Sequence, residues 1–161
     1  KDPLFAEISS KHVFKKKIKL PLSNQAVNIN ALTTKNVIKS INEVHNLKFY
    51  KNEEVFIFGA SYRQGVGDTR FSPSSIIYDH FKKIGAKITV IDPYLNFWSE
   101  KKCKIIKKYE LKKNAALAIF LVPHKEFRLI KLDFKSSCFV IDANNVFSEK
   151  KISPYKLPQI I

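Results

Sequence analysis

Val55-Phe56-Ile57-Phe58-Gly59-Ala60-Ser61-Tyr62-Arg63-Gln64-Gly65-Val66-Gly67-Asp68-Thr69-Arg70-Phe71-Ser72-Pro73 is the stretch on which the reading of this 161-residue chain turns. Val55 to Phe58 form an unbroken apolar run ending at a glycine, the pattern of a strand buried on both faces. Ser72-Pro73 opens a helix, because proline at a first helical position loses no intrahelical bond. That helix turns Ile76, Ile77, His80, Phe81 and Ile84 inward and stops at Gly85. Lys87 to Ile91 then reads as a second strand, closed by Asp92-Pro93.

Leu117 to Val122 and Cys138 to Ile141 are two further buried runs, separated by enough chain for a crossover. Strand, helix, strand and two more strands at crossover spacing predict an α/β fold, a Rossmann-like parallel sheet flanked by helices. Phe97 and Trp98 are expected to pack a short helix against that sheet. Upstream the period changes. Val37, Ile38, Ile41, Val44 and Leu47 have the spacing of a helix with one buried face, from Thr34 to Leu47. Asp2-Pro3 opens an earlier helix, which ends in the basic stretch Lys15 to Lys19 and Pro21, ahead of an Asn-rich segment starting at Ser23. The helical period gives way to strands near Lys51 to Glu54, so the expected organisation is a helical arm over residues 1–52 and a sheet domain over residues 53–161. Lys1 to Phe5 carries no targeting pattern, and the chain reads as beginning mid-protein.

Composition excludes several classes. Hydrophobic residues make up 45% of the chain and charged residues 27%, with thirteen Phe and nineteen Ile, which is incompatible with a disordered chain. No apolar run approaches the ~20 residues of a membrane-spanning helix, and no membrane partner is expected. The two cysteines, Cys103 and Cys138, lack the spacing of a zinc site, so no metal is assigned and a reducing cytoplasm is the expected compartment. The formal charge of +15 invites a nucleic-acid reading. However, 26 of the 29 basic residues are Lys, and Asn and Ile are also in excess, as AT-rich coding would give; no specific nucleic-acid partner is assigned. Arg is the better residue for planar, bidentate recognition of phosphate, and two of the three, Arg63 and Arg70, lie in the quoted stretch.

Open parallel sheets bind ligands at the carboxyl ends of their strands, which directs attention to the connection after Phe58. Three of the four glycines, Gly59, Gly65 and Gly67, fall there with Arg63, Arg70 and a helix start, a combination suited to a phosphate-bearing ligand. The strict dinucleotide fingerprint is absent, and no Gly-Lys-Ser/Thr triplet occurs. In the competing reading this is a long strand-to-helix loop in which Asp68 pairs with an Arg and the glycines only permit the turn. The residues alone leave the two readings even. His124 follows a buried run as a lone histidine and reads as a hydrogen-bonded structural residue rather than a base; His12, His45 and His80 lie on helices without ligand spacing between them.

The strings Phe58-Gly-Ala-Ser-Tyr-Arg63, Gly65-Val-Gly-Asp-Thr-Arg70, Ser72-Pro73, Gly85-Ala86 and Ile91-Asp-Pro-Tyr94 resemble the C-terminal, UDP-binding domain of nucleotide-sugar dehydrogenases, the UDP-glucose, UDP-acetylhexosamine and GDP-mannose enzymes. Val122 to Phe127 and Val140-Ile-Asp142 through Asn145 extend the likeness, and Asn30 with the helix after it resembles the family's central dimer-forming segment. The resemblance implies an NAD-dependent enzyme that oxidises a sugar's primary alcohol to a carboxylate in two hydride transfers, through a thiohemiacetal and a thioester on a cysteine. Lys1-Asp2-Pro3 resembles the sequence just after that cysteine, so the NAD-binding half and the nucleophile would lie elsewhere and this chain alone is expected to be inactive. The likeness makes Asp2 a water-positioning acid. It makes Tyr62, Arg63 and Asn144 substrate-binding residues, Arg70 a contact to NAD, Asp68 the residue that orients Arg70, and Gly59, Gly65 and Gly67 the loop's turning points. Where the family has an Arg after Asp142, this chain has Ala143-Asn144-Asn145. The implied partners are a UDP-sugar substrate, the NAD-binding half and a second copy in a homodimer. A stand-alone nucleotide-sugar-binding module and a basic nucleic-acid-binding α/β domain are the alternatives; the tail from Lys150 to Ile161 reads as an edge-covering extension.

Overall fold

A computed structural model of the chain describes residues 2–16, 18–44, 46–107, 115–129 and 138–146. Lys1, His45 and the tail from Lys150 lie outside the described residues. The chain divides into two compact units, Lys1–His45 and Asn46–Ile161.

The first unit holds two helices, α1 (Asp2–Val13) and α2 (Pro21–Val44). Glu7 and Ser10 fix the connection between them. Ile18 N–H donates to Ser10 Oγ (3.1 Å), while Leu20 N–H and Asn24 Nδ2 donate to Glu7 Oε2 (3.3 and 2.7 Å). The sequence predicts an Asn-rich connection from Ser23 and a helix only from Thr34. Instead α2 starts at Pro21, a residue suited to a first helical position, and runs through the asparagines, each of which disfavours a helix interior by only about 0.7 kcal/mol. The helix also ends before Leu47. The Asn46 side chain accepts from Lys48 N–H and starts a separate 3₁₀ turn, Leu47–Tyr50.

That turn lies in the second unit, ahead of the boundary read from the change of period; Leu47 and Tyr50 are buried there, and Tyr50 meets Phe81 edge-on. The elements that follow are β1 (Glu54–Phe58), α3 (Ser74–Ile84), β2 (Lys87–Ile91), β3 (Phe97–Trp98), β4 (Cys103–Ile106), β5 (Leu117–Phe120) and β6 (Phe139–Asp142). They form one six-stranded sheet of order β3-β4-β2-β1-β5-β6. All neighbours are parallel except the edge pair β3 and β4. This is the expected α/β, Rossmann-like sheet, with α3 packed on β1 and β2 and closed by Gly85.

The central strands are apolar throughout because both faces are covered: Val55 to Phe58 and Leu117 to Phe120 are all buried. Phe58 stacks on Phe120 with ring centroids 4.1 Å apart, and Phe127 meets Phe58 edge-on at 5.5 Å. The expected helix at Phe97 and Trp98 is replaced by β3, an edge strand antiparallel to β4. Aromatic residues favour a strand, and Trp98 buries its whole side chain against the Tyr78 ring while Phe97 faces outward.

Candidate functional site

The carboxyl ends of β1, β2 and β5 lie side by side in register, Phe58 against Ile91 and Phe120. Their exits are Gly59, Asp92 and the Leu121 to His124 turn. Gly59 has φ +97°, and a Cβ there would lie 2.5 Å from Val122 Cβ and 2.8 Å from Val122 N. Only glycine lets β1 and the turn after β5 approach so closely.

Asp92 organises the three exits. Its carboxylate is fully buried, and Oδ2 accepts from Ala60 N–H (2.9 Å), Ser61 N–H (3.0 Å) and Ser61 Oγ–H (2.8 Å). His124 Nε2 lies 3.2 Å from the same oxygen, and Tyr94 N–H donates to Oδ1 at 2.9 Å. Burial alone would push this carboxyl up, but the hydrogen bonds from His124, Tyr94 and Ser61 outweigh it and hold Asp92 below the ordinary carboxylate range. Asp92 is therefore a buried anion whose lone pairs are satisfied by the residues that begin the loop after β1.

The loop is closed at its base by Tyr62 N–H donating to Asp68 O (2.9 Å). Near its apex Gly65 N–H donates to His124 Nδ1 (3.2 Å). Gly67 passes so close to β2's exit that a Cβ would meet Tyr94 O at 2.7 Å. Beyond it, Thr69 Oγ1 bonds the Glu100 carboxylate (2.9 Å), Ser72 Oγ donates to Ser61 O, and Ser74 Oγ donates to Gly59 O at 2.7 Å. The helix start is thus tied back onto the loop's first residues.

Two guanidinium groups lie on this frame. Arg70 is exposed and paired to Asp68, with Nε and Nη2 donating to the carboxylate; the pair raises the Arg70 pKa further. That pairing is common to both readings of the loop. Arg63 has no carboxylate partner among the described residues and lies 5.5 Å from the centroid of the Tyr62 ring, which is itself exposed. With Arg63, Arg70 and Asp68 as its charged residues, the loop carries a net charge of +2 − 1 = +1.

Asn144 follows β6, two strand spacings or about 10 Å from the exit of β1. Its Nδ2 donates to Leu121 O at 2.7 Å, and its N–H donates to Asp142 Oδ1. Its amide nitrogen is therefore engaged on the protein. Asp2 begins α1 in the other unit, and its side chain lies outside the described residues. Cys103 and Cys138 stand at the amino ends of β4 and β6, the sheet edge opposite this loop. Burial pushes the Cys138 thiol up to about 12 and raises Cys103 as well, so neither is poised as a thiolate nucleophile. Among the described residues, no group of three or more His, Cys, Asp or Glu could hold a metal, and no helix is long and apolar enough to cross a membrane.

Sequence reasoning placed the loop but missed its anchors. Asp92 reads in the sequence as the residue that closes a strand, and His124 as a hydrogen-bonded structural residue with no partner named; the fold brings the two together across 32 positions. The available signal was a carboxylate directly after an apolar strand, at the sheet edge where loops are built.

A family model described as the UDP-glucose/GDP-mannose dehydrogenase family, UDP binding domain, matches residues 56–149. UDP-N-acetyl-D-mannosamine dehydrogenase of Methanococcus vannielii is 31% identical over 97 residues, covering 56% of this chain and 20% of that protein. Among solved structures, a UDP-D-ManNAc dehydrogenase from Pyrococcus horikoshii superposes with a TM-score of 0.60 at 20% identity, over 85% of this chain and 33% of its own. A UDP-glucose dehydrogenase from Pyrobaculum islandicum gives 0.62 at 14% identity, over 92% and 34%. At such identities the structural likeness establishes the fold. The chain spans 20% of the length of the curated relative and about a third of each solved one.

Proposed function

Because the chain belongs to the UDP-glucose/GDP-mannose dehydrogenase family and carries its UDP binding domain over residues 56–149, we propose that it is the C-terminal portion of an NAD-dependent nucleotide-sugar 6-dehydrogenase. Its loop 59–73 would hold the diphosphate of a UDP-sugar. One observation carries this reading: Arg63, with no acid beside it among the described residues, stands on a loop whose backbone is pinned by a buried carboxylate. A cationic side chain on a pre-ordered frame binds an anion without a large ordering cost. The Tyr62 ring beside it offers an exposed aromatic face to the same ligand.

NAD would supply the chemistry of hydride acceptance in both oxidation steps, and it would be bound mainly by the other half of the enzyme. Arg70 fits a contact to it, since Asp68 holds Nε and Nη2 while Nη1 has no partner among the described residues. Asn144 would meet the substrate through its side-chain oxygen or the second Nδ2 hydrogen, one N–H being given to Leu121 O. Asp2 would position the water that hydrolyses the thioester. We place the enzyme in the cytoplasm and in polysaccharide precursor synthesis, as a homodimer through the helical unit.

Calorimetric titration with UDP tests the site. Arg63→Ala should weaken UDP binding roughly tenfold to a hundredfold, the loss of one charge-assisted bond. Arg63→Lys should lose less. An Arg63→Ala chain that binds UDP as the parent does would refute this assignment.

A further inference from the structure

His124 is fully buried, and both of its ring nitrogens are engaged. A backbone N–H can only donate, so the 3.2 Å bond from Gly65 N–H requires a lone pair on Nδ1. The proton of the neutral ring is then on Nε2, and it donates to Asp92 Oδ2. The ring is held in one tautomer from both sides.

What this bond restrains is the free part of the loop. Gly65 is exposed, has φ +72°, and a Cβ on it would touch nothing within 4 Å. Between the closure at Tyr62 and the close approach at Gly67, the Gly65 to His124 bond is the tie from the loop backbone to the sheet among the described residues. We propose that His124 is a positioning residue for the nucleotide loop. It carries the fixed geometry of buried Asp92 outward to the Gly65 backbone, and so sets where Arg63 stands. It can do so only as the neutral, Nε2-protonated ring. This rests on the nucleotide-binding reading of the loop given above.

The groups facing the imidazole are the Asp92 carboxylate from β2's exit, the Tyr94 ring at 5.0 Å, the Phe127 edge at 5.3 Å and the Glu126 carboxylate from the following turn. A second proton on Nδ1 would set an N–H against the Gly65 N–H and release the apex. The bond to Asp92 is made at the other nitrogen, so a charged ring keeps Asp92 and loses Gly65.

Two substitutions separate the bonds. Glutamine places a donor near the position of Nε2 and offers Gly65 no acceptor. Asparagine places an acceptor near Nδ1 and gives up Asp92. Nitrogen-15 spectra of the 161-residue chain should show His124 protonated on Nε2, with a slowly exchanging Gly65 amide. His124→Gln should be the more stable variant yet expose the Gly65 amide and weaken UDP binding roughly fivefold, one neutral hydrogen bond. His124→Asn should be the less stable variant yet retain more Gly65 protection and bind UDP more tightly than His124→Gln. A purely structural histidine would make UDP affinity follow stability, with His124→Gln ahead in both, and that order would overturn the proposal. So would a proton on Nδ1. If the parent chain shows the Nε2 signature but binds no UDP, the nucleotide reading fails and the positioning role falls with it. If it binds UDP without the signature, only the role of His124 is lost.

Discussion

Arg70 lies side-on against Asp68, with Nε 2.9 Å from Oδ1 and Nη2 2.6 Å from Oδ2, and the Arg70 N–H also bonds Oδ1. Residues two apart thus form a closed unit at the end of the loop. Because the Arg70 side chain is 68% exposed, the pair orients a guanidinium more than it stabilises a fold. Asp68→Asn should therefore leave unfolding stability almost unchanged, while the Arg70 Nε–H loses its protection in nitrogen-15 spectra. A much larger loss in urea unfolding would mean that the pair holds the structure together.

Gly59 and Gly65 both have positive φ but differ in surroundings. Gly59→Ala must move Val122 backbone and is expected to cost more than about 3 kcal/mol, strain and overpacking together. Gly65→Ala meets only open space and should cost about 1–2 kcal/mol, the left-handed penalty alone. Urea unfolding of the two variants measures the difference, and equal costs would contradict the contact at Val122.

Asp92 gives a pH dependence with a definite sign. Its folded pKa is held below the ordinary value of 3.8, so its stabilising contribution is fully present above that value and is lost as pH falls through the lower, folded one. Asp92→Asn should destabilise the chain by about 3 kcal/mol or more at pH 7, because donors are left facing an amide that cannot satisfy them. The gap to the parent should close only at strongly acid pH. Thermal melts from pH 7 to pH 2 check this, and a gap that closes above pH 5 would show that another group is responsible.

The helical unit leaves Phe5, Ile8, Leu22, Ile29 and Leu32 more than half exposed. Apolar surface of this kind is covered by association. The chain should sediment as a dimer or larger, and Leu22→Glu with Ile29→Glu should shift it toward monomer. A parent chain that stays monomeric at high concentration would count against the homodimer.

The strands β1, β2, β5 and β6 and the glycine-rich loop after β1 were legible because they depend on local patterns. An apolar run as short as Val55 to Phe58, ending at a glycine, fits a strand covered on both faces, and the three glycines with two arginines after it mark a long loop. What could not be read depends on contacts between distant residues. The Asp92–His124 pair spans 32 positions and exists only because β1 separates β2 from β5 in the sheet. The early start of α2 was missed because the helix penalty of asparagine is small, and the edge strand at Phe97 and Trp98 because its pairing with β4 is made only in the folded sheet. The engagement of Asn144 with Leu121 likewise needs the neighbouring strand exit to be present.

Hydrogen exchange across residues 62–70, with and without UDP, tests the central claim most directly. UDP should slow exchange through Arg63, Gly65 and Gly67, while random duplex DNA at physiological salt should leave those amides unchanged. Tight DNA binding together with a loop that UDP does not protect would contradict the account.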